Sequence, residues 1–130
     1  MFLATSNRAM RLVTLRYIGH VTTDELVRGK EKLQLLIDEL SPGFRLLQDL
    51  TDLEKMDVDC ADALGALMEV TDRSGVGLVV RVIPDPSKDI GFNILTIFHA
   101  PSHPTIVTCR SLTEAEPHFA DDQTGEGAGI

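Results

Sequence analysis

The sequence predicts one α/β domain: a mainly parallel sheet of four to five strands, an N-terminal β-hairpin and about four helices. Three observations lead there. Apolar runs of strand length alternate with amphipathic stretches of helix length, an order that demands helical crossovers and therefore parallel neighbours. Capping, proline and glycine signals fall at the boundaries between those stretches. The run Leu78-Val79-Val80-Arg81-Val82-Ile83 is almost continuously β-branched, as expected of a strand covered on both faces.

Taken in order, Met10 to Tyr17 alternates Leu12, Val13, Leu15 and Tyr17 with Arg11, Thr14 and Arg16, a strand pattern. Its hairpin partner is predicted at Phe2 to Thr5, across Ser6-Asn7-Arg8-Ala9. Thr22-Thr23-Asp24-Glu25 has the form of a capping box, in which a hydroxyl and a carboxylate satisfy free N–H groups at a helix start. The helix runs to about Leu40 with Leu26, Leu33, Leu36, Ile37 and Leu40 as its buried stripe, and Ser41-Pro42-Gly43 stops it. Phe44 to Leu50 reads as a strand and Thr51 to Asp57 as a loop. Cys60, Ala63, Leu64, Leu67 and Thr71 mark one face of a second helix, closed by Gly75 and Gly77. After the Leu78 strand, Asp85-Pro86 starts a third helix, from Pro86 to about His99, ahead of Pro101 and Pro104. Thr105 to Cys109 is a last strand, and Ser111-Leu112-Thr113-Glu114 caps a short terminal helix that Pro117 limits. Residues 1–119 form the domain; 120–130, acidic and glycine-rich, is expected to be a disordered tail.

Composition narrows the function classes. The 130 residues carry a formal charge of −8, with no basic stripe to release counterions from a phosphate backbone, so nucleic acid is not an expected partner. Apolar stretches are strand-sized, and Met1-Phe2-Leu3-Ala4 is too short for a signal core, so neither a membrane span nor export is expected; the expected location is the cytoplasm. There Cys60 and Cys109 stay reduced and act as small buried hydrophobes.

In parallel sheets, ligands gather beyond the carboxyl ends of strands, which directs attention to Thr51–Asp59, Pro84–Asp89 and Arg110–Thr113. The first segment belongs to an acidic cluster of Asp49, Asp52, Asp57, Asp59 and Asp62. Asp57 or Asp59 as a helix N-cap accounts for one acid, and exposed loop positions account for most others. A hard-cation site would use such oxygens, but no glycine-centred calcium loop is present. Asp49 sits where a receiver-type phosphoacceptor would, yet the accompanying acidic pair and lysine are replaced by Gly19-His20 and Arg110-Ser111. His99 and His103 are separated by Pro101 and cannot form a helical metal pair. No P-loop, nucleophile elbow or dinucleotide fingerprint occurs, so neither enzyme chemistry nor a cofactor is expected.

The third predicted helix carries two apolar stripes. Ile90, Ile94, Ile97 and Phe98 form one; Phe92, Leu95 and His99 fall on another. A surface helix needs only one. The second stripe is open to three uses: a partner subunit, a small apolar pocket, or cover by the N-terminal segment or the tail.

The segment Asp52-Leu53-Glu54-Lys55-Met56-Asp57-Val58-Asp59-Cys60, between an apolar strand and an amphipathic helix, resembles the signature loop of STAS domains, Asp-Leu-x-x-Met-Asp followed by Ser-Ser-Gly. The likeness is to the SpoIIAA-like, anti-sigma-factor-antagonist branch and runs from about Met10 to Phe119, including Arg81-Val82-Ile83-Pro84-Asp85-Pro86. It implies a non-enzymatic regulatory domain. In phospho-regulated members a partner kinase phosphorylates the second serine, and the dephosphorylated protein binds that kinase to release a sigma factor. Position by position, Asp57 matches the leading acid, Val58 the first serine, Asp59 the acceptor and Cys60 the glycine. No hydroxyl remains to phosphorylate. Asp59 instead sets a fixed charge near a helix N-terminus, where the dipole favours it by ~0.3–1 kcal/mol. Imitation of the phosphorylated state and loss of the switch are both open.

The resulting expectation is a protein-interaction domain that contacts partners through Asp52, Met56, Asp57, Val58, Asp59 and Cys60, and through a helix surface at Phe92, Leu95 and His99. Its partner would be a regulatory kinase-like or anti-sigma protein, and a second copy of the chain would make it a homodimer. The alternative is a carrier for a small apolar or lipid-like ligand.

Overall fold

The computed structural model describes residues 1–83 and 105–119. Strand β1 (Phe2–Asn7) pairs antiparallel with β2 (Leu12–Tyr17), Asn7 opposite Leu12. Between them the Met10 N–H donates to Asn7 Oδ1 at 3.1 Å and the Arg11 N–H to the Arg8 carbonyl at 3.1 Å. Arg11 turns through φ 51°, a left-handed conformation that closes a hairpin loop and ends the ladder. The turn therefore lies two residues later than predicted.

After β3 (Gly19–Val21), helix α1 (Thr23–Asp38) starts at the predicted capping box: Thr22 Oγ1 accepts from the Glu25 N–H and Glu25 Oε2 from the Thr22 N–H, both at 3.4 Å. Its Leu26, Leu33 and Ile37 are buried, with Leu36 and Leu40 packed at the edge. Then follow β4 (Arg45–Asp49), β5 (Leu53–Met56), α2 (Cys60–Arg73), β6 (Leu78–Val82), β7 (Thr105–Cys109) and a helical segment at 112–119. Its predicted capping box forms in part: the Glu114 N–H donates to Ser111 Oγ at 3.2 Å, while Glu114 Oε2 accepts from the Arg110 N–H at 3.0 Å.

The main sheet has the order β1-β2-β4-β6-β7, parallel throughout except for β1. Both helical connections described, α1 and α2, lie on one face. Val13, Leu15, Tyr17, Leu46, Leu50 and Val79 meet Leu26, Leu33, Ile37, Leu64 and Leu67 there. Each such leucine fully withdrawn from water contributes roughly 1.5–3 kcal/mol. On the opposite face Leu12, Leu47, Val80, Val82 and Cys109 are covered by Ala115 and Phe119 of the last helical segment. Arg45, only 6% exposed, fastens that cover: its guanidinium donates to the carbonyls of Phe119 and Met10 and sits 5.6 Å from the Phe119 ring centroid.

The expected loop at Thr51 to Asp57 is corrected by the structure. Leu53–Met56 forms a strand, paired in parallel with β3 in a separate two-stranded ladder. Its burial runs buried, exposed, exposed, buried, and the register slips between Gly19 and His20, so no period-two pattern marks it in the sequence. The third predicted helix, with Phe92, Leu95 and His99, and the tail at 120–130 lie outside the described residues. No described helix is long and apolar enough to cross a membrane.

Candidate functional site

The signature-like segment leaves the carboxyl end of β4 and is pinned before it reaches the surface. The Leu50 N–H donates to the Val82 carbonyl at 3.0 Å, extending the sheet by one bond, and the Leu53 N–H turns back to the Leu50 carbonyl at 3.1 Å. The Gly19 N–H donates to the Asp52 carbonyl at 2.9 Å, bringing β3 alongside. After β5 a tight turn leads into α2, with the Cys60 N–H on the Asp57 carbonyl at 2.9 Å and the Ala61 N–H on the Val58 carbonyl at 3.1 Å.

This geometry divides the six predicted loop residues into two sets. Asp52, Val58 and Asp59 are exposed and Asp57 is half-buried, so these four form an accessible rim. Met56 and Cys60, expected as contact residues, are corrected: both are buried and point into the core. The Cys60 thiol lies 3.6 Å from the Val21 carbonyl and 3.6 Å from the Thr23 hydroxyl, tying the start of α2 to the start of α1. With Leu53 they hold the rim from beneath. Val58 is 56% exposed, an apolar side chain offered to solvent between two acids.

Three acids of the cluster, Asp49, Asp52 and Asp57, have partners of their own. Asp49 is buried; its Oδ1 accepts from the Thr51 N–H at 3.0 Å and its Oδ2 lies 3.6 Å from Arg16 Nε. Arg16 reaches Asp52 as well, at 3.2 Å. Asp57 Oδ1 meets His20 Nε2 at 3.0 Å, an ion pair whenever the imidazole is protonated. Exposed pairs of this kind contribute about 0–1 kcal/mol, so they orient the rim rather than hold the fold. Asp59 occupies the N-cap of α2, but with helical backbone (φ −61°, ψ −16°) and no side-chain capping bond. A capping carboxylate needs extended backbone to fold back on the first turn, so the predicted cap does not form and the charge stays outward. Among the described residues no three His, Cys, Asp or Glu side chains converge to hold a metal ion.

His20 escaped the sequence reading as a site residue, because Gly19-His20 entered it only as the pair standing where a receiver-type domain has its acids. Only the pairing of β3 with β5, which no local pattern announces, brings it to Asp57. The second thiol, Cys109, is buried on the opposite face. Burial first and the nearby Glu114 charge second push it up from its ordinary value, the reverse of what a nucleophile needs.

A five-stranded sheet in this order, two helices stacked on one face and a pinned loop leading into the second of them define a SpoIIAA-like α/β fold. Among solved structures the chain is similar to that of the anti-sigma factor antagonist SpoIIAA in its unphosphorylated form, at 15% identity and a TM-score of 0.59, over 92% of this chain and 98% of that one. It is also similar to the Bacillus cell fate determinant SpoIIAA in the phosphorylated form, at 16% identity and a TM-score of 0.58, over 91% and 98%. The likeness is one of fold. Neither a protein-family model nor a curated protein matches the sequence.

Proposed function

We propose that this chain is a non-enzymatic regulatory domain of the anti-sigma-factor-antagonist type, binding a protein partner through the rim Asp52, Asp57, Val58 and Asp59. The observation that carries the reading is the coincidence of a SpoIIAA-like fold over nine-tenths of the chain with an exposed rim, seated on buried anchors, at the position of the signature loop. An exposed valine flanked by carboxylates suits a contact surface with a small apolar centre and a charged border. Asp59 takes the acceptor's place and Val58, Asp59 and Cys60 offer no hydroxyl, so partner binding through this rim is not governed by serine phosphorylation here. A homodimer built on Phe92 and Leu95 is part of the same proposal, and light scattering on Phe92→Asp with Leu95→Asp tests it.

The rim is tested with an anti-sigma-factor kinase. Wild type co-elutes with it in gel filtration and takes up no phosphate from ATP, Asp59→Ser gains an acceptor, and Val58→Asp weakens binding at least ten-fold while keeping a native circular dichroism spectrum. Phosphate on wild type, or full-strength binding by Val58→Asp, would refute the proposal.

A further inference from the structure

A row of polar side chains crosses the helix-covered face of the main sheet where only apolar ones are needed. Tyr17 and Gln48 are fully buried, and Arg81, the register partner of Gln48, is 5% exposed. The Tyr17 hydroxyl lies 3.2 Å from Gln48 Oε1, and Gln48 Nε2 lies 3.2 Å from the Met68 sulfur of α2, so those two residues have partners. Arg81 stands apart. Among the described residues its buried Nε–H has no hydrogen-bond partner, and no carboxylate forms an ion pair with it. Buried charges are normally paired, because a cation that has lost its water needs an anion in exchange. Burial lowers its proton affinity below that of an ordinary arginine, and the nearby Tyr17 hydroxyl and Asp72 carboxylate offset this only in part.

The row also has an outlet. On β7 the register partner of Arg81 is Thr108, which is exposed, so the polar line passes from the core at Gln48 through Arg81 to solvent. Strand alternation puts Ile83 and Ile106 on the same face, and both are only partly covered apolar side chains. The rim of the signature-like loop contributes nothing here, and the inference stands independently of the proposed partner binding.

We propose that Arg81 is the anion-binding centre of a ligand site for a small organic monocarboxylate with an apolar body, entered from the β7 side past Thr108. The planar guanidinium offers Nε–H and an Nη–H in a fork that matches the two oxygens of one carboxylate. A single cation with apolar neighbours balances a monoanion and leaves a doubly charged phosphate under-compensated.

The test titrates the full chain with sodium octanoate and, separately, with inorganic phosphate and with octanol, by calorimetry and by thermal shift. Octanoate is expected to bind saturably at one site and raise the melting temperature, with octanol and phosphate at least ten-fold weaker. Arg81→Gln, which keeps a polar side chain and removes the charge, is expected to stay folded and lose octanoate affinity at least ten-fold. Equal octanoate binding by Arg81→Gln, or phosphate preferred over octanoate, would overturn the assignment. So would an absence of octanoate binding with Arg81→Gln strongly destabilised, which would mean that the guanidinium is satisfied within the chain.

Discussion

Raising the pH tests the packing of Tyr17 directly, because it is the only tyrosine and the chain has no tryptophan. Tyrosinate absorbance therefore reports one side chain. The ring is fully buried against the sheet, with the Phe2 ring centroid 5.1 Å away and the hydroxyl on Gln48. Burial pushes the hydroxyl far above its ordinary value near 10, and the attraction of Arg81 only partly offsets the rise. In the unfolded chain about nine-tenths of a free tyrosine is ionised at pH 11. The folded state keeps its proton where the unfolded state releases one, so stability is unaffected below about pH 10 and falls above it. The loss from this group is about 1.4 kcal/mol by pH 11 and about 2 kcal/mol by pH 11.5. In a titration followed by both tyrosinate absorbance and far-ultraviolet circular dichroism, the absorbance is expected to stay flat through pH 10 and rise only as the dichroism collapses. Tyr17→Phe starts less stable by about 1–3 kcal/mol, because Gln48 loses a donor, but lacks this part of the alkaline slope. A tyrosinate signal with a midpoint near 10 while the dichroism is native would mean that the Tyr17 hydroxyl is open to solvent in the folded protein.

Three further outcomes follow from the packing. Both thiols are buried and the Cys109 thiol is pushed up, so a thiol reagent at neutral pH is expected to modify neither in the native protein and both in denaturant; rapid native labelling contradicts this. Leu53→Ala opens a cavity under the rim and is expected to cost about 2–5 kcal/mol in chemical denaturation, whereas Glu54→Ala beside it, exposed on the same strand, stays within about 0.5 kcal/mol. Gly29→Ala sets a better helix former, by about 1 kcal/mol, against a Cβ that would collide with the Phe2 ring. Displacing Phe2 from Tyr17 outweighs that gain, for a net loss of about 1 kcal/mol, and a double-mutant cycle with Phe2→Ala is expected to show strong coupling.

The fold was legible where periodicity and capping agree. Thr22 and Glu25 cap α1 as their spacing requires, and the β-branched run at Leu78 becomes an interior strand flanked by β4 and β7. What the sequence concealed is non-local. The strand Leu53–Met56 owes its existence to pairing with Gly19–Val21 rather than to any alternation of its own. The same pairing delivers His20 to Asp57 and turns Met56 and Cys60 inward, so a contiguous motif proves to be half rim and half anchor. Arg45 and Arg81 lie within runs that read only as strands; the two layers closing over the sheet reveal one as a clamp on Phe119 and the other as a buried charge. Asp59 was legible as a charge at a helix start but not as an uncapped one, because that depends on a backbone angle.

Amide chemical-shift mapping shows whether the rim of the signature-like loop is the surface that meets the proposed partner. With the isotope-labelled chain titrated with an anti-sigma factor, saturable shifts are expected to concentrate at Asp52, Asp57, Val58 and Asp59, with His20 moving in step. Saturable binding that leaves those residues unmoved, or no binding at all, would contradict that role of the rim.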